Sequence, residues 1–490
     1  MTITRETGET HLILVDAPFD APEEDWSTWG AAASGAKQVI TPVQVGVLVS
    51  LLALFIVGLY RAPDHALRAA LDATTFVYLL TGLHKVRLLV RSESASGNIA
   101  SEPILPEDDQ LPIYTVMVPL HREGRVIPSL VQRLEAIDYP PDRLQILLLI
   151  ETDDEETVNA VAAYPLPVNI RPVLMAPGEI RTKPRALNIG LQHAAGEFVV
   201  VYDAEDQPEP DQLRKAVAAL RSAPEEVVCV QARLNFYNRH QSTLTRLFAI
   251  DYAIWYDQLL PGLSGDRGQR HAFVPLGGTS NHFWTEMLRH IGGWDPYNVT
   301  EDCDLAVRLS REGFKVAMMD SVTWEEAVPR VQPWIKQRSR WIKGYLQTFL
   351  VHTRHPFRLW REVHSRAYVD FHVLVGGTAL LLLLNPLMWT LTAVYMSTKG
   401  TQVGGYIQTL YPPYVYYPSL VSLLLWNFIL FYTGAYVCVR HGLADLARYA
   451  LLVPFYWVIL SVGAWVGLIS LVRNPFYWDK TEHGVSVNGT

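Results

Sequence analysis

An α/β domain set between two groups of membrane helices is the architecture expected of this chain. Stretches without a single charge lie toward both ends, and between them, from Leu111 to about Pro329, short apolar runs alternate with helical patterns. A wholly basic, aromatic-rich stretch, Arg330–Arg361, joins that middle to the second apolar group. The averages conceal this division: 490 residues, 49% hydrophobic and 18% charged, would suit a soluble protein. A net charge of −8 argues against a nucleic-acid partner. Cys229, Cys303 and Cys438 form no CxxC pair, so no zinc-site spacing is present and a reducing compartment is expected.

Residues 1–37 read as a mobile acidic tail, with seven acids against two bases in the first 38 positions, too polar for a secretory signal. Residues 38–91 read as a membrane hairpin. Its first arm, Gln38–Tyr60, is 23 uncharged residues, long enough for a bilayer core of about 30 Å. Its second, about Ala69 to Leu83, contains Asp72 and ends at His84, Lys85 and Arg87, a basic flank that marks the cytosolic side.

Residues 110–329 form the expected cytosolic domain. Tyr114–Leu120, Leu144–Ile150, Asn169–Leu174, Phe198–Tyr202 and Val227–Gln231 read as buried strands, separated by helical patterns such as Val126–Ala136 and Gln212–Arg221. That alternation predicts a parallel sheet covered on both faces, with ligands at the carboxyl ends of its strands. Residues 330–366 carry eight Lys/Arg and no acid up to Arg361, among Trp334, Trp341, Phe349, Phe357 and Trp360, as a cytosolic interfacial helix would. Leu244–Leu260 reads as a second interfacial helix. In 367–473 the uncharged segments Phe371–Thr398, Gly400–Val439 and Tyr449–Val472 give three more spans, the last with basic flanks at both ends and Pro454 as the point where it splits into a hairpin. Residues 474–490 form a cytosolic tail.

Chemistry concentrates at strand and helix ends. Val199–Tyr202 runs into Asp203-Ala204-Glu205-Asp206, where clustered carboxylates repel one another and suit a hard divalent cation; a solvated turn is the plainer reading. A second strand ends in Glu151-Thr152-Asp153-Asp154. Thr300-Glu301-Asp302-Cys303-Asp304 opens a helical run, which taken singly is a Thr cap with acids favouring the helix dipole. In Gln337-Arg338-Ser339-Arg340-Trp341, guanidiniums suit diphosphate oxygens and the indole a sugar or base, against lipid headgroup contact as the alternative.

Strand-end acids, then TED, then QRSRW, in this order, resemble the membrane-integrated family 2 glycosyltransferases, the group of bacterial cellulose, curdlan, hyaluronan and chitin synthases. The resemblance covers about residues 110–480 and implies a GT-A-like nucleotide-sugar transferase domain on an α-helical transmembrane bundle with interfacial helices. Carried onto this chain, it assigns Pro119, His121 and Glu123 to the nucleotide, with His121 and Arg122 departing from the usual P-x-Tyr-Asn-Glu. Glu151, Lys183, Asp203, Arg338 and Arg340 are the other implied donor contacts. Asp203 and Glu205 are the implied Mg²⁺ or Mn²⁺ ligands, Glu205 replacing the second Asp of the DxD pattern and Asp206 standing as a substitute. Asp302 is the implied general base. Glu301, Gln337, Trp341, Gly278 and Ser280 are the implied acceptor contacts, and Phe476–Thr481 falls where relatives carry a gating motif.

The resemblance implies an inverting, metal-dependent transferase that uses a UDP-sugar, multi-pass in the inner or plasma membrane. Its expected product is a β-glucan-like polymer made processively and passed through the bundle. The alternatives are a non-processive enzyme glycosylating a lipid such as diacylglycerol, and a channel or scaffold with an inactive domain. Expected partners are a UDP-sugar, a glycan or lipid acceptor, membrane lipids and an export subunit not encoded in this chain.

Overall fold

The computed structural model describes residues 2–5, 8–11, 13–15, 35–96, 105–178, 180–265 and 270–476. Eleven strands occur among them: β1 (Thr2–Arg5), β2 (Gly8–His11), β3 (Ile13–Val15), β4 (Tyr114–Leu120), β5 (Leu144–Glu151), β6 (Ile170–Met175), β7 (Phe198–Val201), β8 (Gln207–Pro208), β9 (Val227–Phe236), β10 (Asn281–Trp284) and β11 (Lys315–Glu325). β1 and β2 pair with each other, and the remaining nine form one sheet in the order β3-β6-β5-β4-β7-β10-β9-β11-β8.

The sheet is mixed rather than wholly parallel. β6, β5, β4 and β7 run parallel, but β10 is antiparallel to both β7 and β9. The apolar runs that the sequence shows are those buried on both faces, which is the parallel pattern. β10 is four residues long and carries Asn281 and His282, so no apolar run announces it; Tyr114 and Gln212 supply the buried His282 ring with partners at 2.7 and 3.2 Å.

Alternation of side chains sorts each strand between two cores. Val116, Val118, Ile146 and Leu148 face the Ile127–Glu135 and Gln212–Ser222 helices. The second helix buries Leu213, Ala216, Val217 and Leu220, the i, i+3, i+4, i+7 stripe of an amphipathic helix. Met117, Leu147 and Leu149 face the other way, into a core that continues through Phe236, Phe248 and Ile250 to Val437 and Tyr456 of the membrane helices. The Thr243–Ile254 helix is therefore buried protein, not a lipid-surface helix: Phe248, Ala249, Ile250 and Ala253 are each at most 1% exposed.

Four helices are long and apolar enough to cross a membrane among the described residues: Pro42–Arg61, Ser365–Ser397, Pro413–Arg440 and Ala444–Arg473. The expected second arm of the hairpin is instead a 34-residue helix, Pro63–Ser96, whose charges keep it from that group. It starts at Pro63, directly after Pro42–Arg61 ends, as the restriction on a residue preceding proline demands. Pro454 does not split the last span. It sits in the first turn of Val453–Arg473, where a missing N–H costs nothing.

The basic stretch becomes the Val331–His352 helix, which packs along Val453–Arg473. The approach is backbone to backbone: a Cβ on Gly467 would lie 2.5 Å from the Ser339 carbonyl oxygen, and one on Gly463 3.4 Å from Arg338 Cβ. Small residues four apart permit this closeness between packed helices. Beyond it, Phe357 and Trp360 are 83% and 51% exposed.

Candidate active site

At the carboxyl ends of β4, β5 and β7 opens a cavity of about 1990 Å³ that continues between the membrane helices to Trp389, Tyr416 and Trp426. Each implied nucleotide, metal, base and acceptor residue lines it except Ser280 and the substitute Asp206. Ser280 has φ +57° where the chain turns into β10, which aims its side chain into the sheet; there its hydroxyl meets Thr323 Oγ1 at 2.7 Å. The preceding residues Gly277, Gly278 and Thr279 form the wall instead.

Lys183 opens the Lys183–His193 helix, and its Nζ donates to Asp203 Oδ1 at 2.5 Å and to the Gly278 carbonyl at 2.8 Å. A Cβ on Gly278 would stand 3.6 Å from Asp302 Oδ2 and 3.8 Å from Lys183 Nζ. Three segments distant in sequence thus meet: the β7 strand end, the 276–280 loop and the first turn of the Glu301–Arg311 helix. Burial opposes the charge on Lys183, but Asp203 and Glu301 prevail and raise its pKa.

Asp302 accepts from the Cys303 amide at 2.7 Å, and burial pushes its pKa up to about 6. Burial and the neighbouring Asp302 push Glu301 up to about 7. Asp304 serves a different purpose, accepting from Arg308 Nε at 2.8 Å and lying 2.8 Å from His352 Nε2, which fastens its helix to Val331–His352.

Where β4 meets the cavity, the loop after it is held by the Arg122 amide donating to Asp154 Oδ2 at 2.5 Å and the Glu123 amide to Thr157 Oγ1 at 2.9 Å. Glu151 Oε1 accepts from Arg185 at 3.2 Å, whereas its Oε2 is buried without a protein hydrogen bond. Asp206 does not line the cavity. Its carboxylate accepts from the Asp203 amide at 2.7 Å and from the Thr279 hydroxyl, bracing the turn from beneath.

Among the described residues no three His, Cys, Asp or Glu side chains converge as a complete metal cage. Asp203 and Glu205 both face the cavity, with Glu325 beside them, and that donor set fits a Mg²⁺- or Mn²⁺-type cation that takes its other oxygens from a diphosphate and water. Glu325, with Glu326, is an acidic wall not foreseen. Val322-Thr323-Trp324-Glu325-Glu326 repeats the signal that singled out Asp203, acids at the end of an apolar strand. Burial first, then Asp206, Glu205 and Asp203, raise the Glu325 pKa well above the usual carboxylate range.

The two arginines of QRSRW part company. Arg338 donates to the Tyr456 hydroxyl at 2.9 Å and pairs with Asp251 at 3.4 Å, its guanidinium 4.1 Å from the Phe248 ring and 4.2 Å from Trp341. These contacts anchor it in an aromatic box on the cavity wall. Arg340 feels Glu301, Asp203, Glu205 and Asp302 and so faces the acids. Gln337 presents a buried Oε1 without a protein partner, and Trp341 lies nearly parallel to Tyr252 with 6.3 Å between ring centroids. Phe476 packs edge-on to Tyr297 at 5.8 Å, while the rest of the expected gating motif, 477–481, lies outside the described residues.

Removing a paired, buried guanidinium should therefore differ from removing the one at the acids. Arg338→Gln is expected to lower Tm markedly, by stranding Asp251 and Tyr456, whereas Arg340→Gln should hold Tm and lower transfer about 10²-fold or more. Melting curves and initial rates on both variants check this.

Residues 112–344 match the family described as glycosyltransferase like family 2. That stretch has the GT-A-like α/β fold and is similar to this family over a little under half of the chain. A probable glycosyltransferase of Bacillus subtilis (strain 168), YdaM, is 26% identical over 258 residues, covering 52% of this chain and 60% of the relative. Glucomannan 4-beta-mannosyltransferase 2 of Arabidopsis thaliana is 28% identical over 284 residues, covering 54% and 52%. The chain thus spans between half and three-fifths of the length of these two relatives. Among solved structures, the mannosyltransferase PcManGT from Pyrobaculum calidifontis, in complex with GDP-Man and Mn²⁺, is 20% identical with a TM-score of 0.49, covering 82% of this chain and 99% of that one.

Proposed function

We propose that this chain transfers a hexose, with inversion, from a UDP-sugar to the end of a growing β-glycan and passes the product into its membrane bundle. What carries the reading is the continuity of one cavity from Asp203 and Asp302 at the strand ends to Trp389, Tyr416 and Trp426 between the membrane helices. A glycan needs such a path, with flat aromatic faces along it. That curated relatives are named glucomannan 4-beta-mannosyltransferases supports hexose transfer into a β-glycan.

The residues divide the work. Glu151 Oε2, a single open acceptor beside Arg185, suits the imide edge of uracil, which offers one N–H between two carbonyl oxygens. Asp203 and Glu205 would hold the divalent cation, which when bound neutralises charge on the diphosphate. Arg340 lends a second, fixed positive charge to the same leaving group. Asp302 removes the proton from the acceptor hydroxyl as that oxygen attacks the anomeric carbon, and the nucleoside diphosphate leaves from the opposite face. Trp341 and Gln337, on the cavity wall, place the acceptor sugar. The catalytic domain then lies on the cytosolic side, where the nucleotide sugar is found.

The test is a donor panel on protein reconstituted in lipid. With Mg²⁺ or Mn²⁺ present, a UDP-hexose should release UDP and yield a polymer insoluble in organic solvent. Turnover of GDP-mannose alone would remove the uracil reading, and a single glycolipid product would remove the polymer.

A further inference from the structure

A second charged site lies away from the cavity, where the membrane helices leave the sheet. Leu260–Ser264 packs against Pro63–Ser96 so closely that a Cβ on Gly262 would collide with the Leu88 carbonyl oxygen. That contact brings Arg270, whose Nη1 donates to the Gly262 carbonyl at 2.9 Å, to the turn of the helix that holds Leu88 between Arg87 and Arg91. The His271 and His364 rings lie 4.0 Å apart, which draws the start of the Ser365–Ser397 span, with Arg366 in its first turn, to the same place.

The charges acting most strongly on Arg91 are those of Arg87, Arg270 and Arg366, opposed by Asp370. Asp370 is already committed. It is 1% exposed, accepts from Arg87 Nη2 at 2.8 Å and lies 3.2 Å from His84 Nε2. Among the described residues no ion pair joins a carboxylate to Arg91, Arg270 or Arg366. Three guanidiniums from three segments are thus held together by packing, against their own repulsion.

We propose that Arg91, Arg270 and Arg366 bind the phosphate of an anionic phospholipid. The planar guanidinium fork matches phosphate oxygens, and basic pockets between membrane helices on the cytosolic side are suited to anionic headgroups. A lipid is favoured over free phosphate because the charges adjoin an apolar wall: Val90 and Leu83 on the same helix are 63% and 60% exposed, and Val369 on the span is 37% exposed. The acyl chains lie against that wall while the headgroup meets the arginines. The site is separate from catalysis and rests only on the membrane orientation given above.

The experiment reads retained lipid. The full chain is reconstituted in nanodiscs of mixed phosphatidylcholine and phosphatidylglycerol, extracted in mild detergent, and its bound lipids are counted by mass spectrometry. Wild type should keep phosphatidylglycerol selectively, and Arg91→Gln/Arg366→Gln should keep about tenfold less. Arg448→Gln, which removes a cation on the same side of the membrane, should behave as wild type. Equal retention by the double variant overturns the proposal, and so does displacement of the lipid by millimolar inorganic phosphate, which would mark a free-phosphate site. Should the double variant melt early in phosphatidylcholine alone, Arg91→Lys/Arg366→Lys keeps the charge and loses the fork. Partial loss of lipid is then expected, and full retention overturns the proposal.

Discussion

Asp302→Asn should still bind the nucleotide sugar and lose transfer by about 10²–10⁴-fold, the usual worth of a positioned general base. The amide is nearly the same size and can still accept from the Cys303 amide, so the fold of the Glu301–Arg311 helix has no reason to change. Only the capacity to take a proton goes. The wild-type pH profile supplies an independent check. Because the folded-state pKa of Asp302 is raised to about 6, the base is competent above that value, and the rate should fall as pH drops through it. Lys183 lowers the pKa of both Asp302 and Glu301, so in Lys183→Met the acid limb should move to higher pH. Initial rates across pH, with donor affinity measured separately by calorimetry, distinguish the base from a binding role. Unchanged transfer in Asp302→Asn would assign the proton to another group.

Gly467→Val is expected to lower transfer about 10²-fold from a position that touches no substrate, since about 1 Å of misplacement can cost that much. Even a Cβ there would sit 2.5 Å from the Ser339 carbonyl and 3.2 Å from the Lys343 amide. Backbone cannot swing aside as a side chain can, so the Val331–His352 helix must lift, taking Gln337, Arg340 and Trp341 with it. Overpacking of this kind also costs about 1–3 kcal/mol of stability, visible as a lower Tm. Gly405→Ala provides the contrast, because nothing lies within 4 Å of its Cβ position and no loss is expected. A Gly467→Val enzyme with wild-type rate would mean that the contact between the two helices does not set the acceptor geometry.

The strands of the sheet that could be read from sequence were those with nearly continuous apolar runs, β4, β5 and β7 above all, because burial on both faces leaves few polar positions. β10 was illegible for the opposite reason: its polar His282 and Asn281 are buried, and only the fold supplies their partners, Tyr114 and Gln212 for the ring and the Gly277 carbonyl for the amide. The acids were legible as acids, but not their duties. Asp203 faces the cavity and Asp206, three residues on, braces the turn, a distinction made by the Thr279 hydroxyl from a loop 73 residues away. The division between Arg338 and Arg340 was within reach. At 100° per residue, two positions on one helix point about 200° apart, so the two guanidiniums cannot share the same partners. What sequence could not say was that the other side would meet Tyr456 and Asp251.

The core that runs without a break from the sheet through Phe248 and Ile250 to the membrane helices has a practical meaning. Ile250 and Ile254 rest directly against Gly434 of the Pro413–Arg440 span. Beside the cavity, the sheet domain and the apolar helices share one packed core. A fragment trimmed to the transferase domain alone would carry a raw apolar face into solution, and would clump rather than catalyse. The chain should therefore be extracted whole, in detergent or bilayer, because its apolar helices are also half of its foundation.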